Sequence, residues 1–352
     1  MKKFLTTILI ILIIALVGAG AYTAIQLNRI KETPLDEIDG DNKITEKDLG
    51  ISDSAPDEKD TGVINILLFG VDRRTENEKP RSDSIMIATI DKKYKCVKLT
   101  SIMRDTFLPI PGKEDNRINA AYAFGGPSLA IRTVNSNFNM DIQRYVTVNF
   151  QGMEKIIDTL GGVEIELTKG EPKVLNQYLD ELNKLDKEGK KSPYIKNTGL
   201  QKLDGKQAVA YCRIRYVGNG DYKRTERQRT VLNELFKKAK TVSPMKIPEL
   251  VTTIIPYIET NMSKTEMLTL GASVMGFKDK ELKQFRLPVE GAYTGKKIRG
   301  MEVLVPDIEA NTNLLHSFIY GDPSQMHLDG KGGMDKETVE TFKQHPIEAS
   351  EE

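Results

Sequence analysis

Two short runs place charged residues against the ends of apolar strand candidates. Gly70-Val71-Asp72-Arg73-Arg74 closes the run Val63–Phe69, and Arg81-Ser82-Asp83-Ser84 opens the next one. If those runs are adjacent antiparallel strands, Asp72 and Asp83 meet at one sheet edge. Two carboxylates so placed can hold Mg²⁺ or Mn²⁺, with the remaining positions left to water and phosphate. The plain alternative is that both make turn hydrogen bonds in loops.

A third run, Met103-Arg104-Asp105-Thr106, closes another strand candidate. Alone, such a pair is a solvated ion pair worth little. The fourth is richer: between Lys206 and Lys240 there are ten Lys+Arg against three Asp+Glu, including Arg213, Arg215, Arg224, Arg227 and Arg229. Arg213 and Arg215 share a face if that stretch is a strand. Arg224 and Gln228 share one if a helix starts near Asp221. A charge run is ordinarily a solvated face, but the planar guanidinium fork also matches two phosphate oxygens and stays charged. Carboxylates for a divalent ion plus an arginine cluster suit cleavage of a phosphoanhydride, where catalysis is mainly positioning and electrostatic stabilisation. No Walker loop, GxSxG elbow or HExxH helix points to another chemistry.

These residues need a scaffold, and the hydrophobic pattern supplies one. Val63–Gly70, Ser84–Asp91 and Val97–Met103 read as strands, followed by helical pattern at Ala120–Ala123 and Pro127–Asn137 around a Gly125-Gly126 break. Tyr145–Asn149 reads as a strand, Gln151–Leu160 as a helix and Gly162–Leu167 as a strand. Glu171–Leu200 has weak periodicity and reads as a surface excursion. Gln207–Tyr216 has strand or short-helix character, and Thr225–Lys240 is an amphipathic helix. Helices at Ile247–Tyr257 and Lys264–Phe277 and a strand at Lys283–Pro288 complete the pattern, and residues from about Gly321 read as disordered. Strands alternating with helices imply an α/β fold around a central sheet.

The termini set the location. Phe4–Leu27 carries no charged residue and is long enough to span a bilayer core of about 30 Å. Met1-Lys2-Lys3 before it places the N-terminus in the cytoplasm by the positive-inside rule. Ala19-Gly20-Ala21 resembles a signal-peptide cleavage site, the competing reading. In both cases the rest of the chain is exported. Glu32–Asp60, with 11 Asp+Glu against three Lys, reads as an unstructured spacer. The net charge of +1 argues against a protein that coats nucleic acid by bulk potential. Two widely separated cysteines, Cys96 and Cys212, read as buried thiols.

The runs NILLFGVDRR, RSDSIMIATID, SIMRDT, RINAAYAFGG, DTLGGVEIEL, LDGKQAVAYCRIR and GDYKRTERQR, in that order, resemble the LytR-CpsA-Psr (LCP) family over about residues 63–240. The resemblance implies an α-β-α sandwich with a central mixed sheet, preceded by one transmembrane helix. The implied division is a tip at 1–3, an anchor at 4–27, a spacer at 28–62, a catalytic domain at 63–320 and a tail at 321–352. It implies an extracytoplasmic phosphotransferase that moves a glycopolymer, such as wall teichoic acid or capsule, from a polyprenyl-pyrophosphate carrier to peptidoglycan. The family's metal-binding carboxylates match Asp72 and Asp83. Its pyrophosphate-binding residues match Arg104, Arg213, Arg215, Arg224 and Gln228, with Arg74 and Arg81 beside the metal motif. In the implied reaction a peptidoglycan hydroxyl attacks phosphorus and Asp72 or Asp105 accepts its proton. Met103, where many relatives carry Pro, and Cys212, where Thr or Ser is common, depart from the pattern. A pyrophosphatase with the same site is one alternative; a membrane-bound transcriptional regulator is the other, and export argues against it.

Overall fold

The computed structural model describes residues 31–35, 44–72, 79–185, 191–243, 253–279 and 281–323. The expected anchor at 4–27, Arg74, most of the tail from 321 and residues 247–252 of the expected Ile247–Tyr257 helix lie outside them. Of that helix, Ile255–Tyr257 is a 3₁₀ turn.

A seven-stranded mixed sheet organises the domain. Its centre is β2 (Val63–Val71), antiparallel to β3 (Ser82–Asp91), which is antiparallel to β4 (Cys96–Ile102). On the other side β2 runs parallel to β5 (Arg144–Asn149). The flanks are β8 (Ile258–Thr260), antiparallel to β5 and itself parallel to β1 (Lys31–Glu32), and β9 (Lys283–Leu287), parallel to β4. The strand β2 is a continuous apolar run because both of its faces are covered. Val63, Leu67, Phe69 and Val71 enter one core, and Ile64 and Ile66 enter another.

On the first face lie α1 (Asn119–Phe138) and α7 (Ile308–Tyr320), contributing Ile131, Val134, Phe138, Leu314, Leu315 and Phe318. The expected break in α1 occurs at Gly125 and Gly126, the latter with φ 62°, and Pro127 resumes the helix. On the second face, Leu270 of α6 (Lys264–Gly276) packs with Ile64, Ile66 and Ile90. A separate core joins α2 (Phe150–Thr159), the hairpin β6–β7 (Val163–Leu167 and Gly199–Leu203), α3 (Glu171–Leu185), α4 (Gly205–Arg213) and α5 (Gly220–Ala239). A further hairpin pairs β10 (Tyr293–Ile298) with β11 (Met301–Pro306).

Three sequence expectations change. Glu171–Leu200 is no surface excursion: α3 buries Leu175, Leu179 and Leu182 on one stripe, and β7 begins at Gly199. Its lysines, asparagines and acids occupy the remaining faces and dilute the periodicity. Gln207–Tyr216 resolves as helix α4 through Arg213, started by a capping box between Asp204 and Gln207. Finally, the acidic segment is not a free spacer where it is described. Lys31 and Glu32 join the sheet, and Leu35 and Leu49 enter the first core.

One buried ion pair ties the sheet to the last helix. Lys98 and Asp91 are both fully buried, with Nζ 2.9 Å from Oδ2. The same ammonium donates to the carbonyls of Ile319 at 2.7 Å and Gly321 at 3.1 Å. Two of its N–H groups are spent on the carbonyl-rich C-terminus of α7, and Asp91 balances its charge. Replacing Lys98 by Met leaves the Asp91 carboxylate buried without its cation, which costs on the order of 3–5 kcal/mol. We expect Lys98→Met to lower the urea midpoint without changing the slope of the transition.

Candidate functional site

The site lies where the central strands β2 and β3 end. Gly70 pairs with Ser84 and Val71 with Ser82, so Asp83 is an extra residue in β3, a β-bulge. A bulge turns consecutive side chains toward one face, and Asp83 and Ser84 both line the same cleft. A Cβ on Gly70 would stand 2.9 Å from the Ser84 Cβ, so glycine keeps the floor open. Asp72 follows the last residue of β2 and lines the cleft as well. The two carboxylates therefore meet at the end of two central strands, not at a sheet edge.

The cleft encloses about 600 Å³, counting its open mouth. Beside the carboxylates its lining includes Arg213, Arg215, Arg224 and Gln228, together with Cys212, Phe150 and Tyr178. Arg213 and Arg215 reach it although no strand carries them: Arg213 ends α4 and Ile214 turns the chain into extended backbone. Arg224 and Gln228 lie four residues apart on α5, as their spacing requires. The Gln228 Oε1 is buried and has no hydrogen-bond partner. An acceptor of that kind at a cleft wall is suited to a ligand hydroxyl or amide.

The charges interlock. Arg104 Nη1 donates to Asp83 Oδ1 at 2.7 Å, with Arg215 and Arg224 nitrogens each 3.9 Å from the same oxygen. Arg224 also donates to the Asp83 carbonyl at 3.0 Å. Asp221 completes the set: its Oδ1 lies 3.0 Å from Arg224, 3.6 Å from Arg104 and 4.0 Å from Arg215. Three guanidinium groups thus share two carboxylates. Burial would raise the Asp83 carboxyl, but Arg224, Arg104 and Arg215 more than offset it and hold it below its ordinary value. Burial wins at Asp221, whose carboxyl is raised despite Arg224 and Arg104. Arg224, buried beside two other cations, falls to about 10 and is still protonated at neutral pH. The Cys212 thiol is pushed by burial to about 12, which keeps it protonated and unreactive.

Arg213 is held separately. Its guanidinium lies 5.0 Å from the Tyr178 ring centroid and 5.5 Å from that of Phe150, and Nη2 is 2.7 Å from Glu181. Aromatic faces stabilise a cation without quenching its charge. Not every expected residue converges. Arg104 touches the cleft only through Asp83. Asp105 accepts from Arg117 at 2.9 Å, has its other oxygen 3.6 Å from Arg104, and is not among the lining residues. Arg81 is exposed and outside the lining, and Arg227 is spent fastening α5 to Glu171 of α3 at 2.7 Å.

Asp221, Phe150, Tyr178 and Glu181 were not anticipated. For Asp221 a signal existed, an acid three residues before Arg224 in a helix's first turn. For the others none did, because their contacts join distant segments. Among the described residues no group of three or more His, Cys, Asp or Glu could hold a metal. Asp72 and Asp83 alone supply two hard oxygen donors, a set that suits Mg²⁺ or Mn²⁺ when phosphate fills further positions.

The family model described as the LytR_cpsA_psr family matches residues 22–317. Polyisoprenyl-teichoic acid--peptidoglycan teichoic acid transferase TagU of Bacillus cereus is 35% identical, over 76% of this chain and 82% of its own. Regulatory protein MsrR of Staphylococcus aureus is 32% identical, over 67% of each chain. Among solved structures, Bacillus subtilis YwtF (TagT) with bound octaprenyl pyrophosphate lipid has a similar fold. Its TM-score is 0.56 at 22% identity, covering 77% of this chain and 95% of that one.

The charge arrangement has a pH signature. Because the Asp83 carboxyl is held below the 3.8 of an unfolded aspartate, its stabilising contribution is present above that value. It is lost as pH falls through the lower, folded value. Urea midpoints of wild type and Asp83→Asn are therefore expected to differ most near neutral pH and to converge below pH of about 4.

Proposed function

The chain belongs to the LytR_cpsA_psr family, and on that premise we propose that it transfers a teichoic-acid-type or capsular glycopolymer from a polyprenyl-pyrophosphate carrier to peptidoglycan. It does so outside the cell, as a single-pass membrane protein anchored by residues 4–27. The observation that carries this reading is the convergence of Arg213, Arg215 and Arg224 on a cleft that Asp72 and Asp83 also line. The name of the TagU relative supports both the donor and the acceptor.

In this reading the arginines grip the pyrophosphate. Arg224, fixed by Asp221 and the Asp83 carbonyl, and Arg215 face the charge that grows on the phosphate oxygens during transfer. Arg213, held between Phe150 and Tyr178, takes the outer end of the anion. Arg104 orients Asp83. Asp72 and Asp83 would hold Mg²⁺ or Mn²⁺, which when bound neutralises phosphate charge. The acceptor hydroxyl oxygen bonds to the polymer-side phosphorus as the phosphoanhydride P–O bond breaks. Polyprenyl phosphate leaves and a phosphodiester remains. Of the two carboxylates open as proton acceptor, Asp72 faces the cleft, whereas Asp105 is bridged to Arg117. That difference favours Asp72.

The test is incubation of the protein with synthetic polyprenyl-pyrophosphate glycan, Mg²⁺ and peptidoglycan fragments, with product analysis. Wild type is expected to yield glycan-linked peptidoglycan. Free glycan phosphate as sole product would make the protein a hydrolase instead. Removing one transition-state donor costs on the order of 10²–10³ in rate, so Arg224→Ala is expected to lose at least about 10²-fold. Asp72→Ala should fall to background, and transfer at the wild-type rate would end its assignment.

A further inference from the structure

We infer that the cleft end of the domain is a membrane-facing surface, formed by Ile254, Pro256, Tyr257, Ile258 and Tyr216, whose partner is the lipid bilayer. The inference rests on the expected span at 4–27 and on the reading of the cleft as a site for lipid-linked pyrophosphate.

Chain length carries the argument. If everything between Leu27 and Val63 were a loose leash, it would reach up to about 120 Å. But Lys31 is fixed in the sheet. It pairs with Glu259, Glu259 with Thr147, and Thr147 with Phe69. From Leu27 to Lys31 the chain can stretch at most about 14 Å. Three strand spacings separate Lys31 from Phe69, about 14 Å, and Asp72 lies about 10 Å further along β2. Asp72 therefore stands about 17 Å from Lys31, and about 31 Å from the end of the span at full stretch.

Strand direction says which end faces the bilayer. Ile258 is level with Val148 and, through it, with Gly70 on the cleft floor. The strand β1 runs parallel to β8 and away from that level, so its N-terminal end, at Lys31, is the end nearer the cleft. The surface there fits a lipid interface. Ile254–Ile258 holds no charged residue in a chain that is 29% charged. Pro256 is exposed, and Ile254, Tyr257 and Ile258 are half-buried. Tyr216, next to the cleft residue Arg215, is 83% exposed. Tyrosine and apolar side chains in such a position settle at headgroup depth.

The chain has no Trp, which makes single-Trp reporters direct. The far end of the domain supplies the comparison: Leu268 of α6 is 48% exposed, on the helix whose Leu270 packs with Ile64 and Ile90. Full-length Tyr216→Trp and Leu268→Trp variants would be placed in phosphatidylglycerol–phosphatidylethanolamine vesicles, with and without dibrominated acyl chains. We expect blue-shifted emission at position 216 and bromolipid quenching several-fold stronger there than at 268. Equal quenching at the two positions, stronger quenching at 268, or loss of the chain from vesicles on alkaline washing would overturn the inference. Because no turnover is read, quenching at 216 in a protein that fails to transfer polymer would sink the transferase reading and leave this surface standing.

Discussion

Three guanidinium groups crowd the Asp83 carboxylate, and most of the site follows from how that crowding is tolerated. Cations this close repel, and burial makes each of them costlier. Asp83 and Asp221 sit among them, and Asp105 reaches Arg104, so the repulsion is offset by carboxylates. The guanidinium groups are thereby held in place before any anion arrives. Electrostatic preorganisation of this kind needs no rearrangement at the moment of reaction. Asp83 can take its part only because the bulge in β3 swings it onto the cleft face beside Ser84.

The scaffold supplies rigidity from several directions. The arginines come from the β4 end, the α4 terminus and the first turn of α5, elements that belong to two different hydrophobic cores. Each guanidinium is held by something other than ligand: Arg104 by Asp83, Arg224 by Asp221, Arg213 by two aromatic rings and Glu181. Away from the cleft, buried charge has a different task. Lys98 closes the C-terminus of α7 onto the sheet, and Arg227 with Glu171 closes α5 onto α3. Those pairs add specificity to the packing and leave no charge over for chemistry.

Legibility followed the range of the forces. Strands β2 to β4, the break at Gly125-Gly126 and the helical face shared by Arg224 and Gln228 were readable, because each is a local pattern of period or backbone freedom. The segment 171–200 was misread because its apolar stripe is three leucines among many polar residues. The stripe becomes a helix face only when the second core receives it. Tyr178 and Glu181 were lost with it. For Gln207–Tyr216 the pattern leaves strand and short helix open, and Arg213 and Arg215 share a face only in a strand; both reach the cleft all the same, since a helix end followed by extended backbone can present two side chains much as a strand does.

The amino-acid sequence by itself determined the residue types of the site and their order along the chain. It also determined the strand-end positions that put Asp72 and Asp83 at one end of neighbouring strands. Alternation and apolar runs are short-range properties, and antiparallel neighbours follow from short connections. Only the tertiary structure decided that Asp83 occupies a bulge, that Asp221 joins the charge set, and that Lys31–Glu32 is a strand and not a leash. Register, partner choice and edge-strand addition depend on contacts between residues far apart in the chain. A two-residue strand has no periodicity to read, and an aspartate's partner is set by which arginines the fold brings within 4 Å of it.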